Sequence, residues 1–279
     1  MARVGGLSAA RRAALSGAGL LLALAVLSPY GVMLLTAAKP EGELRVTPPR
    51  LTPLDWRPGV FLDILADPAF QGWLRVSLTV ALASTVVVVL AAAPAAYYTA
   101  RHRFPGRSAF LLLVLITQMF SPTALVVGLY RQFLELDLVN TYAALILTNA
   151  AFNLAFAIWI LRAVFAAIPR EIEEAAAVDG CGRMRTLVRV VLPLSLPGLG
   201  TAVIFAFIAA WNEYVVALTL MTAPEMKPLT VGITSYVTAY VQEWNHLFAA
   251  SVIAIVPVVA LFVLIERHLV AGLTAGSVK

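Results

Sequence analysis

The densest group of ionisable side chains in this 279-residue chain lies between positions 162 and 189, which hold nine of its 35 charged residues. Arg162 and Arg170 come first, then Glu171, Glu173 and Glu174, the small run Ala175-Ala176-Ala177, Asp179-Gly180, and finally Arg183, Arg185 and Arg189. Nothing in this set is arranged for acid–base or nucleophilic catalysis. It is suited to meeting a soluble partner. A second, sparser group consists of polar residues inside long apolar stretches: Gln118, Asn149, Asn153, Asn212 and Glu213. Asn149 and Asn153 are four apart and share one helix face. Two readings stand for this group, a polar lining for a solute path and hydrogen bonding between membrane helices.

Several chemistries are absent. None of the three Lys residues (Lys39, Lys227, Lys279) follows Gly and precedes Ser or Thr, so there is no phosphate-binding loop and no capacity to hydrolyse ATP. Gly17-Ala18-Gly19 lies inside an apolar run, where a dinucleotide fingerprint has no context. The single cysteine, Cys181, excludes an intrachain disulfide and a Cys-based zinc cluster, and it reads as a bystander. His102 and His268 flank apolar runs, His246 sits at another boundary, and no His-Glu-x-x-His motif occurs, which disfavours an intramembrane protease. Glu213 is the one ionisable residue within an expected span and falls in its outer half, a weak basis for ion coupling.

The elements that carry these residues follow from composition. Hydrophobic residues make up 61% and charged residues 13%, against about 25% charged in soluble domains. The mean hydropathy is +0.89. Six stretches of 22 or more residues contain no Asp, Glu, Lys or Arg: 13–38, 76–100, 108–130, 138–161, 190–212 and 244–265. A crossing helix needs about 20 apolar residues. The expectation is therefore an all-α membrane protein with six transmembrane helices, the fifth shifted to 198–221 because Pro193 and Pro197 open its run. The first stretch, at 26 residues, exceeds a signal h-region of about 7–15 and reads as an anchor. Pro94, Pro122 and Pro257 are expected to kink their helices.

The net charge is +5, and 17 of the 20 basic residues are Arg. These charges fall between apolar runs rather than on one solvated face, so they mark orientation and not nucleic-acid binding. Placing the N-terminus inside puts 13 Arg and Lys inside and seven outside. Arg101, Arg103 and Arg107 form the clearest inside turn. Both termini are expected in the cytoplasm. The long segment between the fourth and fifth helices then faces inward. Pro169 suits a first helical position, the following acids complement the helix dipole, and Asp179-Gly180 forms a break. From Gly182 to Val191 a second short helix is expected, ended by Leu192-Pro193. A hairpin lying on the bilayer is the alternative. The outer segment 222–245 is too long for a simple turn and reads either as a plain loop or as a surface facing a partner.

Glu174-Ala175-Ala176, three residues, Gly180, nine residues, Val190, one residue, Leu192-Pro193 resembles the EAA loop of binding-protein-dependent ABC importer permeases of type I. Val190 stands where that pattern usually has Ile. The ending Val270-Ala271-Gly272-Leu273-Thr274-Ala275-Gly276-Ser277-Val278-Lys279 resembles that of the shorter permease in maltose-type carbohydrate importers, and Trp211-Asn212-Glu213 and the turn at 103–107 fit the same subfamily. The resemblance spans residues 17–279. It implies a type I importer permease fold with cytoplasmic EAA coupling helices: an N-terminal segment at 1–69, a transmembrane core at 70–268 with the EAA loop at 165–197, and a cytoplasmic tail at 269–279. Glu174, Ala175, Ala176, Asp179, Gly180, Leu192 and Pro193 would couple to a separate ATPase. The implied partners are a second homologous permease, an ATPase dimer that holds ATP and Mg, an extracytoplasmic solute-binding protein and the lipid bilayer of a bacterial inner membrane. No cofactor is expected on this chain. On the path-lining reading of the polar group, Gln118, Asn149, Asn153, Asn212 and Glu213 are the candidates for the substrate path.

Overall fold

Runs of Leu, Val, Ala, Ile and Phe without charge form helices because only an intrasegment ladder satisfies backbone polar groups in lipid. The computed structural model describes residues 9–44, 46, 52–240 and 242–275, with side chains from residue 13 to 266. Arg3, Arg45, Arg50 and the ending 276–279 lie outside the described residues, as do the side chains of Arg11, Arg12, Arg267 and His268. The described residues are mostly helical and contain no strand beyond an isolated bridge between Val237 and Gln242.

The main helices are α1 (Ala9–Ala37), α2 (Pro68–Arg101), α3 (Arg107–Thr117), α4 (Pro122–Glu135), α5 (Tyr142–Ala167), α6 (Arg170–Val178), α7 (Arg183–Leu194), α8 (Leu196–Trp211), α9 (Val215–Leu220) and α10 (Trp244–Ala275). Among the described residues four stretches are long and apolar enough to cross a membrane: Ala13–Ala37, Pro68–Arg101, Tyr142–Ala167 and Trp244–Glu266. The third and fifth expected spans are not straight helices. α3 and α4 meet at 95°, and α7 and α8 at 87°. At the first break Ser121 is extended and Pro122 opens the next helix, where its missing N–H costs nothing. At the second, Ser195 interrupts between Pro193 and Pro197, and Leu187–Val191 is wound as a π-helix just ahead of it. The second short helix ends at Leu194, one residue past Leu192-Pro193, and Ser195 separates it from α8. Pro94 and Pro257 lie within continuous helices. The fifth expected span, 198–221, is also divided at Asn212–Tyr214, between α8 and α9.

The chain forms two compact units. One comprises residues 1–67 and 234–253. In it, α1 exposes almost its whole apolar length. The Glu43 carboxylate accepts the Leu54 and Asp55 amides at 2.9 and 3.0 Å, the Tyr236 hydroxyl donates to Asp67 Oδ2 at 3.1 Å, and Glu41 Oε1 accepts the Asn245 amide at 3.1 Å. The two amides on Glu43 hold its carboxyl below the usual carboxylate range.

The other unit comprises residues 68–233 and 254–279. Its core is α2 against α5 and α8, with Val88, Ala92, Ala96, Ile158, Leu161, Phe165, Ala202 and Ala206 buried together. Small side chains let the helix backbones approach, and packing rather than water release then holds them. Gly198 shows the limit of that approach. A Cβ there would lie 2.3 Å from Val164 Cγ2, so α8 crosses α5 only because this position has no side chain. A second cluster, around Val76, Val80, Leu145, Val216 and Leu220, fills the opposite end.

Candidate functional site

The short helix α6 begins after Pro169 and has Glu171 and Glu173 in its first turn. Its C-terminus is closed by backbone bonds. The Cys181 N–H donates to the Ala176 carbonyl at 2.9 Å and the Gly180 N–H to the Ala177 carbonyl at 3.0 Å, while Gly180 adopts φ +79°. This is the pairing of a Schellman turn, which needs a left-handed residue and therefore favours Gly. Nothing lies within 4 Å of a Cβ built on Gly180, so its requirement is conformational rather than steric. Ala176 is buried, whereas Glu174, Ala175, Asp179 and Gly180 are exposed. Val178 is 88% exposed, an apolar side chain left at the tip of the helix without cover among the described residues. Leu192 is half-buried and Pro193 exposed, both on α7.

Three residues missed as contributors fasten this helix to the membrane helices. Glu173 forms an ion pair with Arg101, accepts the Tyr97 hydroxyl at 2.7 Å, and is 14% exposed. Arg101 also donates to the Ile168 carbonyl at 2.9 Å, binding the end of α2 to the end of α5. The Tyr97 ring meets Phe165 edge-on at 6.3 Å. In sequence Glu173 looked like one more acid at a helix start, and Arg101 a charge that ended an apolar run. Their partners are more than 65 positions away, a separation no local pattern reveals.

The expected path residues divide into groups. The Asn149 amide is buried and donates to the Leu145 carbonyl of its own helix at 3.0 Å, and Asn153 likewise to the Asn149 carbonyl at 2.8 Å. Gln118, exposed at the α3–α4 break, donates across to the Phe152 carbonyl at 3.1 Å. Asn212 is exposed at the end of α8. Glu213 opens α9: its carboxylate accepts the Val216 and Ala217 amides at 2.7 and 2.8 Å, satisfying two orphan donors of the helix start. Asn149 and Glu213 face a common cavity of about 10 Å3 together with Ser77, enough for one water and too small for a sugar. Among the described residues no group of three or more His, Cys, Asp or Glu could hold a metal ion.

Residues 89–274 match the family described as binding-protein-dependent transport system inner membrane component. The chain belongs to that family. The permease is 36% identical over 252 residues to the sulfoquinovosyl glycerol transport system permease protein of Agrobacterium fabrum, covering 88% of this chain and 87% of the relative. It is 36% identical over 222 residues to the trehalose/maltose transport system permease protein of Thermococcus litoralis, covering 78% and 80%. Its fold is that of a chain in the crystal structure of a bacterial ABC transporter that imports the acidic polysaccharide alginate, with a TM-score of 0.79 at 23% identity over 95% of this permease and 99% of that chain.

Proposed function

We propose that this permease carries a carbohydrate, a sugar, oligosaccharide or related polyol, through a bacterial inner membrane. In this reading it works with a second homologous permease, an ATPase dimer and an extracytoplasmic binding protein. The cargo class is supported by the relatives, whose names specify sulfoquinovosyl glycerol, trehalose/maltose and diacetylchitobiose transport. A related alginate transporter has been solved together with a pentasaccharide-bound periplasmic protein, which supports the binding-protein partner.

Counting each bent pair as one crossing would give six spans, and in this reading both termini are cytoplasmic and the core is 70–268. The single observation behind the coupling role is the brace of Glu173 on Arg101 and Tyr97 beneath an otherwise exposed helix. A helix held this way moves with α2 and α5. Glu174, Ala175, Asp179 and Gly180 are its docking surface for the ATPase, with Ala176 buried behind them, and Leu192-Pro193 transmits motion through the bend into α8. Closure of the ATPase pair then rocks the membrane helices between inward- and outward-facing states. Gln118 and Asn212, exposed on this chain, line the path, with Asn149, Asn153 and Glu213 behind them.

The test is uptake in proteoliposomes containing the complete transporter, its binding protein and ATP. Uptake should require ATP, and the ATPase should co-purify with the permease. Solute movement by the permease alone under an ion gradient would overturn the assignment.

A further inference from the structure

The chain that follows α9 is fastened to its own unit through the side chain of Asn140. This residue sits in the turn between α4 and α5, just ahead of the Thr141 that caps α5, and holds φ +61°. Asn visits that left-handed region more readily than most residues. Its backbone N–H donates to the Leu220 carbonyl at 3.1 Å, one of the acceptors that the end of α9 leaves without a helical partner. Its side chain binds the residues just beyond. Oδ1 accepts the Thr222 and Ala223 amides at 2.7 and 2.9 Å, and Nδ2 donates to the Thr222 hydroxyl at 2.9 Å.

Three further contacts fix what comes next. The Leu229 amide donates to Ser77 Oγ on α2 at 2.7 Å, and the Thr230 hydroxyl donates to the Glu213 carbonyl at 2.8 Å. A Cβ on Gly232 would run into the Trp73 indole, so the chain lies directly against α2 there. The Glu213 contact closes a ring. Its carboxylate caps the start of α9, α9 ends at Asn140, and Thr230 brings the chain back to Glu213 itself.

We propose that Asn140 is a positioning residue for transport. By clamping the far end of α9 it makes residues 213–232 one rigid plate on α2 and the α4–α5 turn. The plate in turn holds Asn212 and Glu213 where α8 breaks off. Removing the clamp frees the segment 222–232 and, through α9, loosens the cap at Glu213. The role rests on the proposed path, which Asn212 lines with Glu213 behind it. Side chain and backbone can be separated. Asn140→Gly keeps the left-handed turn and deletes the clamp. Asn140→Asp keeps an acceptor for both amides and lets the Thr222 hydroxyl donate in place of Nδ2.

The first arm of the test reads hydrogen exchange in the permease purified into nanodiscs and needs no partner. Electron-transfer fragmentation resolves the Thr222 and Ala223 amides from those of Val216 and Ala217, which Glu213 holds at the other end of α9. In Asn140→Gly both pairs should exchange about tenfold faster, the equivalent of one or two lost hydrogen bonds, and Asn140→Asp should restore both. The second arm uses the complete transporter and measures ATP hydrolysis with and without the binding protein. Stimulation should be lost in Asn140→Gly and recovered in Asn140→Asp, whereas plain destabilisation lowers both rates and leaves their ratio. If Asn140→Gly does not assemble, Thr230→Val, which opens the ring at its other end, must give the same two changes. Faster exchange confined to Thr222 and Ala223 would make Asn140 a local tether and overturn the proposal. An unchanged ratio with both pairs of amides loosened would overturn it as well. If the unmodified transporter shows no stimulation, the partner assignment fails and the exchange arm alone decides for or against the plate.

Discussion

The Tyr97 hydroxyl donates to Glu173 Oε2 at 2.7 Å, joining two residues 76 positions apart, one at the end of a long apolar helix and one in the first turn of a short charged one. A hydrogen bond to a charged group contributes about 1.5–3 kcal/mol, so Tyr97→Phe should lower the thermal stability of the assembled transporter by that order. Arg101→Gln should cost more, about 3–5 kcal/mol, because it strands a mostly buried carboxylate. Both should also lower the solute moved per ATP hydrolysed. Unchanged melting and unchanged coupling ratio in Tyr97→Phe would remove the brace from the mechanism.

Gly180 holds φ +79° with open space around it. Gly180→Val forces a β-branched residue into the left-handed region at a cost of about 1–2 kcal/mol. It should abolish ATP-driven uptake while the permease remains in the membrane, as read by transport assay and membrane immunoblot. Asn tolerates the left-handed region, so Gly180→Asn should keep some of the uptake. If Val and Asn behave alike, the turn geometry is not what matters.

Glu213 caps α9 with both carboxylate oxygens. Removing a cap costs about 0.5–2 kcal/mol. Glu213→Ala should therefore melt at lower temperature than Glu213→Gln, which keeps one acceptor, and uptake should fall in the same order. Complete loss of uptake in Glu213→Gln with unchanged melting would point instead to a proton or ion relay at this residue.

Gly198 and Val164 are a second kind of pair, matched by absence. Gly198→Ala should destabilise by about 1–3 kcal/mol through overpacking. Val164→Ala in the same chain should recover much of it, since the nearest atoms, Cγ2 and Cγ1, are removed. Scanning fluorimetry of the four-member cycle measures the coupling, and strict additivity would show that α5 and α8 relax apart without strain.

Burial and the neighbouring Asp67 carboxylate both push the Tyr236 hydroxyl up from its ordinary value. A tyrosine whose folded value lies above the unfolded one, about 10, stabilises fully below that pH and loses its contribution as pH climbs through the folded value. Tyr236→Phe should therefore melt below the unmodified permease at pH 8, with the gap narrowing under strongly alkaline conditions. A gap that stays constant with pH would mean the hydroxyl contributes by packing alone.

The uncharged runs located the apolar helices because lipid and helix cores demand the same composition. They could not register direction. The stretch 108–130 has no charge at residues 118–121, yet the chain turns by 95° there. The local signal was Ser121-Pro122, an extended residue followed by a proline at a first helical position. Asn212-Glu213 was legible as polarity but not as a break, because an acid inside an apolar run reads as a functional group before it reads as a cap. The short helix and its glycine turn were visible, since dipole acids, small residues and a left-handed position are local properties. Glu173, Tyr97 and Arg101 were not, since their meaning exists only once α2 and α5 lie side by side.

The turn that closes α6 is made of main-chain bonds and one residue without a side chain. The outward side chains beside it, Glu174, Ala175, Val178 and Asp179, do not help to hold its shape. In the proposed coupling role, such a design separates the handle from the key: substitutions at the tip change what it presents while the main-chain turn beneath keeps its shape.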